Sequence, residues 1–364
     1  MMIKKSLMVK RIYNNPEVYY GKGATSSCLK AIELSRMLVL VSGTVKKSEY
    51  YGKIIAGLAG KQIQEEIIHG PVQETIAKLA KTYSGPAKPD LIVAIGGGKV
   101  LDSAKVLKVL LDNPGLSFAD LEKTRFCEKS VTKLVAIPTT PGTGSETNSI
   151  AVTRDAAGRK VPLINNGFVP DVAILDHEFL AGLDIQAIYE FSADIFSHAF
   201  EGSVSAASTP LLAAIGKSAL SLLKGGLEKL RADPKDAKAL ESILHAGHLA
   251  GIVQGNAFVG ACHALAHTIE EQIPGVSHGQ SILLTLKQTI LWLKETTKKP
   301  EYDEYLDAYN VLGFDTHRKP EVLKKMNADA WAEASLKDPS ISTSPVRMKK
   351  ENLLVLIDWI LNRP

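Results

Sequence analysis

The stretch DLIVAIGGGKVLDSAKVLKVLL, residues 90–111, decides the fold. It opens with a short apolar run, continues through three glycines and ends in a segment whose apolar residues recur at helical spacing. This order is typical of a buried parallel strand that turns directly into a helix. Apolar runs at residues 37–42 and 133–138 predict two further strands, and helical periodicity fills the chain between the runs. The sequence therefore predicts an N-terminal α/β domain with a Rossmann-like parallel sheet.

The pattern changes after about residue 180, where long segments have helical periodicity and no β-alternation. These segments are residues 208–230, 233–255 and 347–363. The first of them begins with Thr209 and Pro210, a suitable N-cap followed by proline at the first helical position. We therefore expect an α/β domain at residues 1–178 and an all-α domain at residues 179–364. A cleft between two domains of different type is a usual place for a site.

Composition narrows the class of protein. The chain has 364 residues, and its 43 basic and 39 acidic residues leave a net charge of only +4, spread along the sequence. This balance predicts no nucleic-acid partner. Cys28, Cys127 and Cys262 form no CxxC pair, which suits a reducing compartment. No apolar run approaches the roughly 20 residues of a membrane helix, and the basic N-terminus lacks an apolar signal core. We expect a cytoplasmic protein with no membrane partner.

Two glycine- and hydroxyl-rich turns follow predicted strands. Gly96, Gly97 and Gly98 would let backbone N–H groups at a helix start approach a phosphate, although they also suit a plain tight connection. The segment AIPTTPGTGSET, residues 136–147, would by itself be only a polar loop. Because both turns end strands of one sheet at the same edge, together they favour a dinucleotide site.

Histidines cluster in the second half of the chain. Asp194 and His198 are four residues apart, as are His263 and His267, and such spacing places both side chains on one helical face. His278 follows, where Pro274, Gly275 and Gly279 predict a loop or a helix start that brings an imidazole back. Each histidine alone fits an ordinary core position, but three imidazoles and a carboxylate together suit Zn²⁺ or Fe²⁺.

These features occur together in one known family. The chain resembles the iron-containing (group III) alcohol dehydrogenases, which share a superfamily with glycerol dehydrogenase and dehydroquinate synthase. The likeness runs from about residue 16 to 290 and rests on four motifs. They are GGGKVLDSAK, PTTPGTGSE, ADIFSHAFEG and CHALAHTIEEQIPGVSHG. The resemblance implies a dehydroquinate synthase-like fold, with an α/β nucleotide-binding domain and an all-α metal-binding domain.

The resemblance also implies a role for each matching residue. The implied metal ligands are Asp194, His198, His263 and His278. His267 matches a histidine near the nicotinamide that assists proton transfer. The implied cofactor-binding residues are Gly97, Gly98, Lys99, Asp102, Thr139, Thr140, Thr143, Ser145 and Lys160. A divalent ion, Fe²⁺ or alternatively Zn²⁺, would act as a Lewis acid on a small alcohol or aldehyde while hydride passes to or from nicotinamide C4.

The resemblance implies NADP or NAD as the cofactor. The first strand ends in VLVSGTVKK, where Ser42 would lie near the cofactor and no acidic residue follows to bind a ribose 2′-hydroxyl. Lys46 and Lys47 come next, so the sequence predicts that NADP is accepted. The alternative is that both lysines are solvated and point away.

Other functions remain open at this stage. Glycerol dehydrogenase and maleylacetate reductase are alternatives with the same fold. Lys99 replaces the serine usual in alcohol dehydrogenases of the family and favours glycerol dehydrogenase, whereas PTTPGTGSE and the full set of one aspartate and three histidines favour the alcohol dehydrogenases. The extra basic residues with which a dehydroquinate synthase-like lyase binds its substrate are not evident in this sequence. A non-catalytic regulator that kept the fold would be expected to have lost a metal ligand, but all four implied ligand positions are filled. The family likeness implies a homodimer or a higher homo-oligomer.

Overall fold

The structure is a computed structural model that describes residues 12, 16–34, 36–124, 131–314 and 321–363. Cys127 and most of the basic N-terminal segment lie outside these residues. The described part forms two compact units that meet in sequence between Gly182 and Leu183.

The N-terminal unit contains a six-stranded sheet in which every neighbouring pair is parallel, in the order β1-β8-β5-β4-β2-β3, and a separate hairpin of β6 and β7. The strands are β1 Glu17–Tyr20, β2 Arg36–Ser42, β3 Gln62–Ile68, β4 Leu91–Gly96, β5 Lys133–Pro138, β6 Ile150–Arg154, β7 Lys160–Ile164 and β8 Val172–Leu175. The three strands predicted from apolar runs are β2, β4 and β5. The predicted fold class is confirmed.

Helices cover both faces of this sheet. They are α1 Ala24–Ala31, α2 Gly43–Lys46, α3 Glu49–Ala56, α4 Gln73–Thr82, α5 Gly98–Asp112 and α6 Phe118–Lys123. Alternate residues of each central strand enter opposite cores, so that Ile92 and Ala94 pack with α5 while Val93 and Ile95 pack with α1 and α3. Burial on both faces explains why these strands are continuous apolar runs.

The strand order contains a switch point. From β2 the chain goes to its neighbour β3, and then returns to place β4 on the other side of β2. In open parallel sheets, ligands bind at the carboxyl ends of the strands where the winding direction reverses. That position lies between the ends of β2 and β4, where the glycine turn begins.

The C-terminal unit is helical, and its described residues contain no strand. Its helices are α7 Ile185–Val204, α8 Pro210–Ala232, α9 Ala237–Ala257, α10 Ala261–Gln272, α11 His278–Thr297, α12 Glu301–Leu312, α13 Ala328–Lys337 and α14 Lys350–Asn362. The predicted start of α8 is confirmed, because Thr209 accepts a hydrogen bond from Leu212 N and Pro210 is the first helical residue. In the described part of the chain no single helix has the length and apolarity to cross a membrane. Only α9 and α10 together, bent by 102°, meet those criteria of length and composition.

Candidate metal centre and nucleotide-binding surface

Helix α7 carries two of the predicted ligands. Asp194 and His198 lie one turn apart and are only 4% and 5% exposed. The helix is capped by Asp184, whose carboxylate accepts from Gln186 N, and is apolar on both sides of the ligand pair. Burial of a carboxylate beside an imidazole in an apolar helix costs free energy unless the pair has a partner.

Helix α10 begins at a sharp corner. Phe258, which follows α9, has φ 60° and ψ −172°, a conformation that is strained for any residue except glycine. The corner is fixed by side chains, since Ser205 donates to Ala257 O and Thr343 donates to Val259 O. The chain then enters α10 two residues before His263.

Helix α11 begins at His278, and the first turn of α11 contacts α7. Ser277 and Gln280 form a capping box, and both also donate to the carboxylate of Glu190. Gly279 allows this approach, because a Cβ there would lie 2.5 Å from the carbonyl oxygen of Glu190. Glu190 lies one turn before Asp194 on α7. The contact with Glu190 therefore places His278 beside the carboxylate of Asp194.

One carboxylate oxygen is nearly equidistant from three imidazole nitrogens. Asp194 Oδ1 is 3.4 Å from His198 Nε2, 3.5 Å from His263 Nε2 and 3.4 Å from His278 Nε2. Ligand atoms of Asp194, His263 and His278 all lie within 4.8 Å of one another. His198 is outside this mutually close set, although its Nε2 approaches Asp194 and its ring stacks on that of His263 at a centroid distance of 4.9 Å.

These spacings fit a shared ion better than direct ion pairs. A charge-assisted N–H···O hydrogen bond is about 2.7–2.9 Å long. A tetrahedral ion with bonds of about 2.1 Å instead holds its ligand atoms roughly 3.4 Å apart. Asp194 Oδ1 and His263 Nε2 are also buried without a hydrogen-bond partner. The residues present therefore fit a divalent ion.

The protonation states support the same reading. Burial raises the pKa of Asp194, but the surrounding histidines outweigh it and hold this pKa well below its usual value. Burial lowers the pKa of His198 to about 4. Burial lowers the pKa of His263, but the nearby carboxylates of Asp194 and Glu201 outweigh it and raise this pKa to about 9. Binding of an ion at neutral pH would therefore displace a proton from His263.

Carboxylates contact the outer nitrogen of three rings. Glu201 Oε2 lies 2.6 Å from His263 Nδ1, Glu270 Oε2 lies 3.1 Å from His278 Nδ1, and Asp338 Oδ2 lies 2.7 Å from His267 Nδ1. Such contacts fix the orientation and tautomer of an imidazole. The sequence alone had indicated none of the three carboxylates.

Loss of the carboxylate that faces His267 is expected to cost stability in a pH-dependent way. Burial raises the pKa of Asp338, but the His267 contact outweighs it and lowers the pKa from 3.8 to about 2. This stabilisation is present above pH 4 and is lost as the pH falls towards 2. Asp338→Asn should therefore lower the free energy of unfolding of the metal-free protein by about 2 kcal/mol at pH 7 and by much less at pH 2.5.

Urea unfolding at both pH values measures this difference. Asp307→Asn, on an exposed position of α12, removes the same charge and serves as the control. An equal loss of stability by Asp338→Asn at the two pH values would contradict the prediction.

The two predicted nucleotide loops lie side by side at the carboxyl edge of the sheet. Thr139 N donates to Gly96 O, as β4 and β5 end together. A Cβ at Gly97 would lie 3.0 Å from Thr140 Oγ1, and one at Gly98 would lie 3.0 Å from the Thr143 side chain. The first turn of α5 has no side-chain cap and no acidic residue, which leaves its N–H groups and positive dipole end available to an anion.

A buried polar network ties the second loop to α5. Asp102 accepts hydrogen bonds from Ser145 Oγ at 2.6 Å and from Val152 N at 2.9 Å. Lys105 is completely buried and donates to Ile150 O at 2.8 Å and to Asn148 at 3.3 Å. Asp102 therefore holds the loop in place with both of its oxygens.

The remaining predicted cofactor residues have different surroundings. Ser42 ends β2, and its Oγ accepts from Val45 N. Lys99 is exposed on the first turn of α5, and Lys160 begins β7 opposite Arg154. Lys46 forms an ion pair with Glu65 on β3, so part of its charge is already matched.

Two family models cover most of the chain. The model described as iron-containing alcohol dehydrogenase matches residues 15–177, and that of the C-terminal part of the same family matches residues 190–342. The chain belongs to the iron-containing alcohol dehydrogenase family. It is accordingly an oxidoreductase that acts on CH–OH groups, as the motifs predicted.

Individual relatives of this iron-containing alcohol dehydrogenase agree with the assignment. The chain is 28% identical to a probable alcohol dehydrogenase, EutG, of Escherichia coli (strain K12), over 96% of this chain and 94% of the relative. It is 30% identical to an NADPH-dependent butanol dehydrogenase of Clostridium saccharobutylicum, over 69% and 66%. An iron-containing alcohol dehydrogenase from Thermococcus thioreducens has the same fold, with a TM-score of 0.84 at 23% identity over 97% and 100% of the two chains.

Proposed function

We propose that this protein is a metal-dependent, NAD(P)-linked alcohol dehydrogenase or aldehyde reductase whose ion is held by Asp194, His198, His263 and His278. The observation that carries the proposal is the spacing of three imidazole nitrogens at 3.4–3.5 Å around one carboxylate oxygen. Nitrogen and oxygen ligands of this kind suit Fe²⁺, with Zn²⁺ as the alternative.

The bound ion would supply Lewis acidity that polarises a carbonyl and lowers the pKa of an alcohol. His267 would then handle the proton. Its Nδ1 faces Asp338, which places the ring proton there and leaves Nε2 as an acceptor. Burial lowers the pKa of His267, so the ring is neutral at pH 7 and can accept a hydroxyl proton. A 27% exposed side chain lets the ring pass this proton to water.

The adjacent loops at the ends of β4 and β5 would hold the nucleotide. Gly97 and Gly98 leave room beside the N-terminus of α5 for a pyrophosphate, and Lys99 and Lys160 would add positive charge. Thr139, Thr140 and Thr143 offer hydroxyl groups on the same edge. We infer that Asp102 acts mainly by holding Ser145 and the loop, since both of its oxygens already accept hydrogen bonds.

Acceptance of NADP is part of the proposal. No acidic side chain directly follows β2, the position from which a carboxylate would repel a 2′-phosphate. Lys47 is exposed, while the charge of Lys46 is shared with Glu65, so the attraction rests more on Lys47. Comparison of KM for NADPH and NADH tests this point, and a strong preference for NADH would contradict it. The cytoplasmic location and the homo-oligomeric state predicted from the sequence stay predictions.

The test of the whole proposal is metal removal and restoration. Protein purified without oxygen and stripped with a chelator is expected to lose at least about 100-fold in NAD(P)H oxidation with small aldehydes. Added Fe²⁺ or Zn²⁺ should restore the rate. If folded protein shows no turnover with any aldehyde or added metal, glycerol-type diols and maleylacetate are the next substrates to assay. Failure with those as well would leave the non-catalytic alternative.

A further inference from the structure

The carboxylate of Glu201 serves two helices at once. It lies on α7, seven residues after Asp194 and three after His198, which places all three side chains on one face of that helix. Glu201 is only 4% exposed. Its Oε1 accepts from Cys262 N at 2.8 Å, and its Oε2 accepts from His263 N at 3.3 Å.

These backbone contacts make Glu201 the cap of α10. The N-cap position of that helix is Gly260, which has no side chain to satisfy the first N–H groups. Any other residue at position 260 would obstruct the contact, because a Cβ there would lie 2.9 Å from Glu201 Oε1. The start of α10 is thus fitted to a carboxylate from the neighbouring helix.

The same carboxylate determines which nitrogen of His263 is free. Oε2 lies 2.6 Å from Nδ1 and, as an ionised oxygen, can only accept, so the ring proton belongs on Nδ1. Once an ion displaces the second ring proton, the lone pair of Nε2 is directed to the side where Asp194 Oδ1 lies, and Nε2 is buried there without a hydrogen-bond partner. We propose that Glu201 is a positioning residue that fixes the tautomer and direction of His263 for binding of a divalent ion, an inference that rests on the proposed metal-dependent function.

The substitution Glu201→Gln tests the proposal because it keeps the size of the side chain. The amide oxygen can still accept from Cys262 N, but the amide nitrogen would donate to Nδ1 and favour a proton on Nε2. We expect the affinity for Zn²⁺ to fall by about 10- to 100-fold. The affinity for NADPH should stay as in the wild type. Glu271→Gln, at an exposed position of α10, is the matched control and should bind Zn²⁺ as the wild type does.

A second measurement does not depend on folding of the variant. ¹⁵N–¹H correlation spectra of histidine-labelled, Zn²⁺-loaded wild-type protein should show zinc on Nε2 of His263 and a proton on Nδ1. Zinc on Nδ1, or unchanged Zn²⁺ affinity in folded Glu201→Gln protein, would overturn the inference. Wild-type protein that binds no divalent ion would instead overturn the proposed function, and the two failures are therefore distinguishable.

Discussion

Asp194→Asn is expected to lower kcat/KM for aldehyde reduction by at least about 10³-fold, even with excess metal. Asp194 Oδ1 is the atom that three imidazole nitrogens surround, and Asp194 is the single anionic group among the four proposed ligands. Its replacement by a neutral amide removes the charge that balances a divalent cation. The amide nitrogen would also replace one of the two carboxylate oxygens, and it has no lone pair to offer a metal ion.

Steady-state kinetics together with metal analysis of the purified variant measures this effect. Asp307→Asn makes the same change of charge at an exposed position and should retain both metal and activity. A variant at position 194 that keeps a full complement of metal and wild-type turnover would exclude the proposed ligand set.

The second large effect is expected in the N-terminal unit. Asp102→Asn should lower the free energy of unfolding at pH 7 by about 3 kcal/mol, since it removes one of the two carboxylates, Asp102 and Glu146, that offset the burial of Lys105. Burial already lowers the pKa of Lys105 to about 8, against the opposing effect of Asp102, whose Oδ1 lies 3.8 Å from Nζ. An asparagine can accept only one of the two hydrogen bonds that Asp102 accepts from Ser145 and Val152, so the loop at residues 145–152 is held less firmly and NADPH binding should weaken as well.

A double-mutant cycle separates the pair from its surroundings. Asp102→Asn combined with Lys105→Met should cost less than the sum of the two single changes, by at least about 1 kcal/mol. Urea unfolding followed by circular dichroism measures all four proteins, and Glu122→Gln on the exposed side of α6 controls for loss of a negative charge. Strict additivity would mean that the two groups do not interact.

The fold followed from local patterns wherever burial left a clear signature. The central strands β2, β4 and β5 are buried on both faces and are apolar throughout, so the sequence indicates them directly. The edge strand β3 reads QIQEEII and was not predicted, because its partly exposed positions carry glutamine and glutamate. Strand β8 has four residues, too few for periodicity to mark it.

The candidate site divides in the same way. Spacing of four residues indicated that Asp194 and His198, or His263 and His267, share a helical face. Contacts across large separations could not be predicted, since Asp338 follows His267 by 71 residues and no local pattern connects them. Lys105 lies one turn after Asp102, and Lys108 and Asp112 continue the same helical face, so the spacing suits an ion pair but does not indicate burial. Its burial depends on the loop that covers it, which only the tertiary structure reveals.

The backbone conformation of Phe258 limits which substitutions this position tolerates. Any residue other than glycine at this position carries a strain of about 1–3 kcal/mol, so most single substitutions would keep the strain and change only the side chain. Glycine would relieve the strain, but it would also make the connection between α9 and α10 freer in the unfolded chain. Glycine and the other residues therefore have opposite effects at this position. Exchange of one for the other would change the flexibility of the connection that sets the direction of α10. His263 and His267 both lie on α10. A substitution at position 258 that leaves the stability of the protein unchanged could therefore still change the positions of these two imidazole rings.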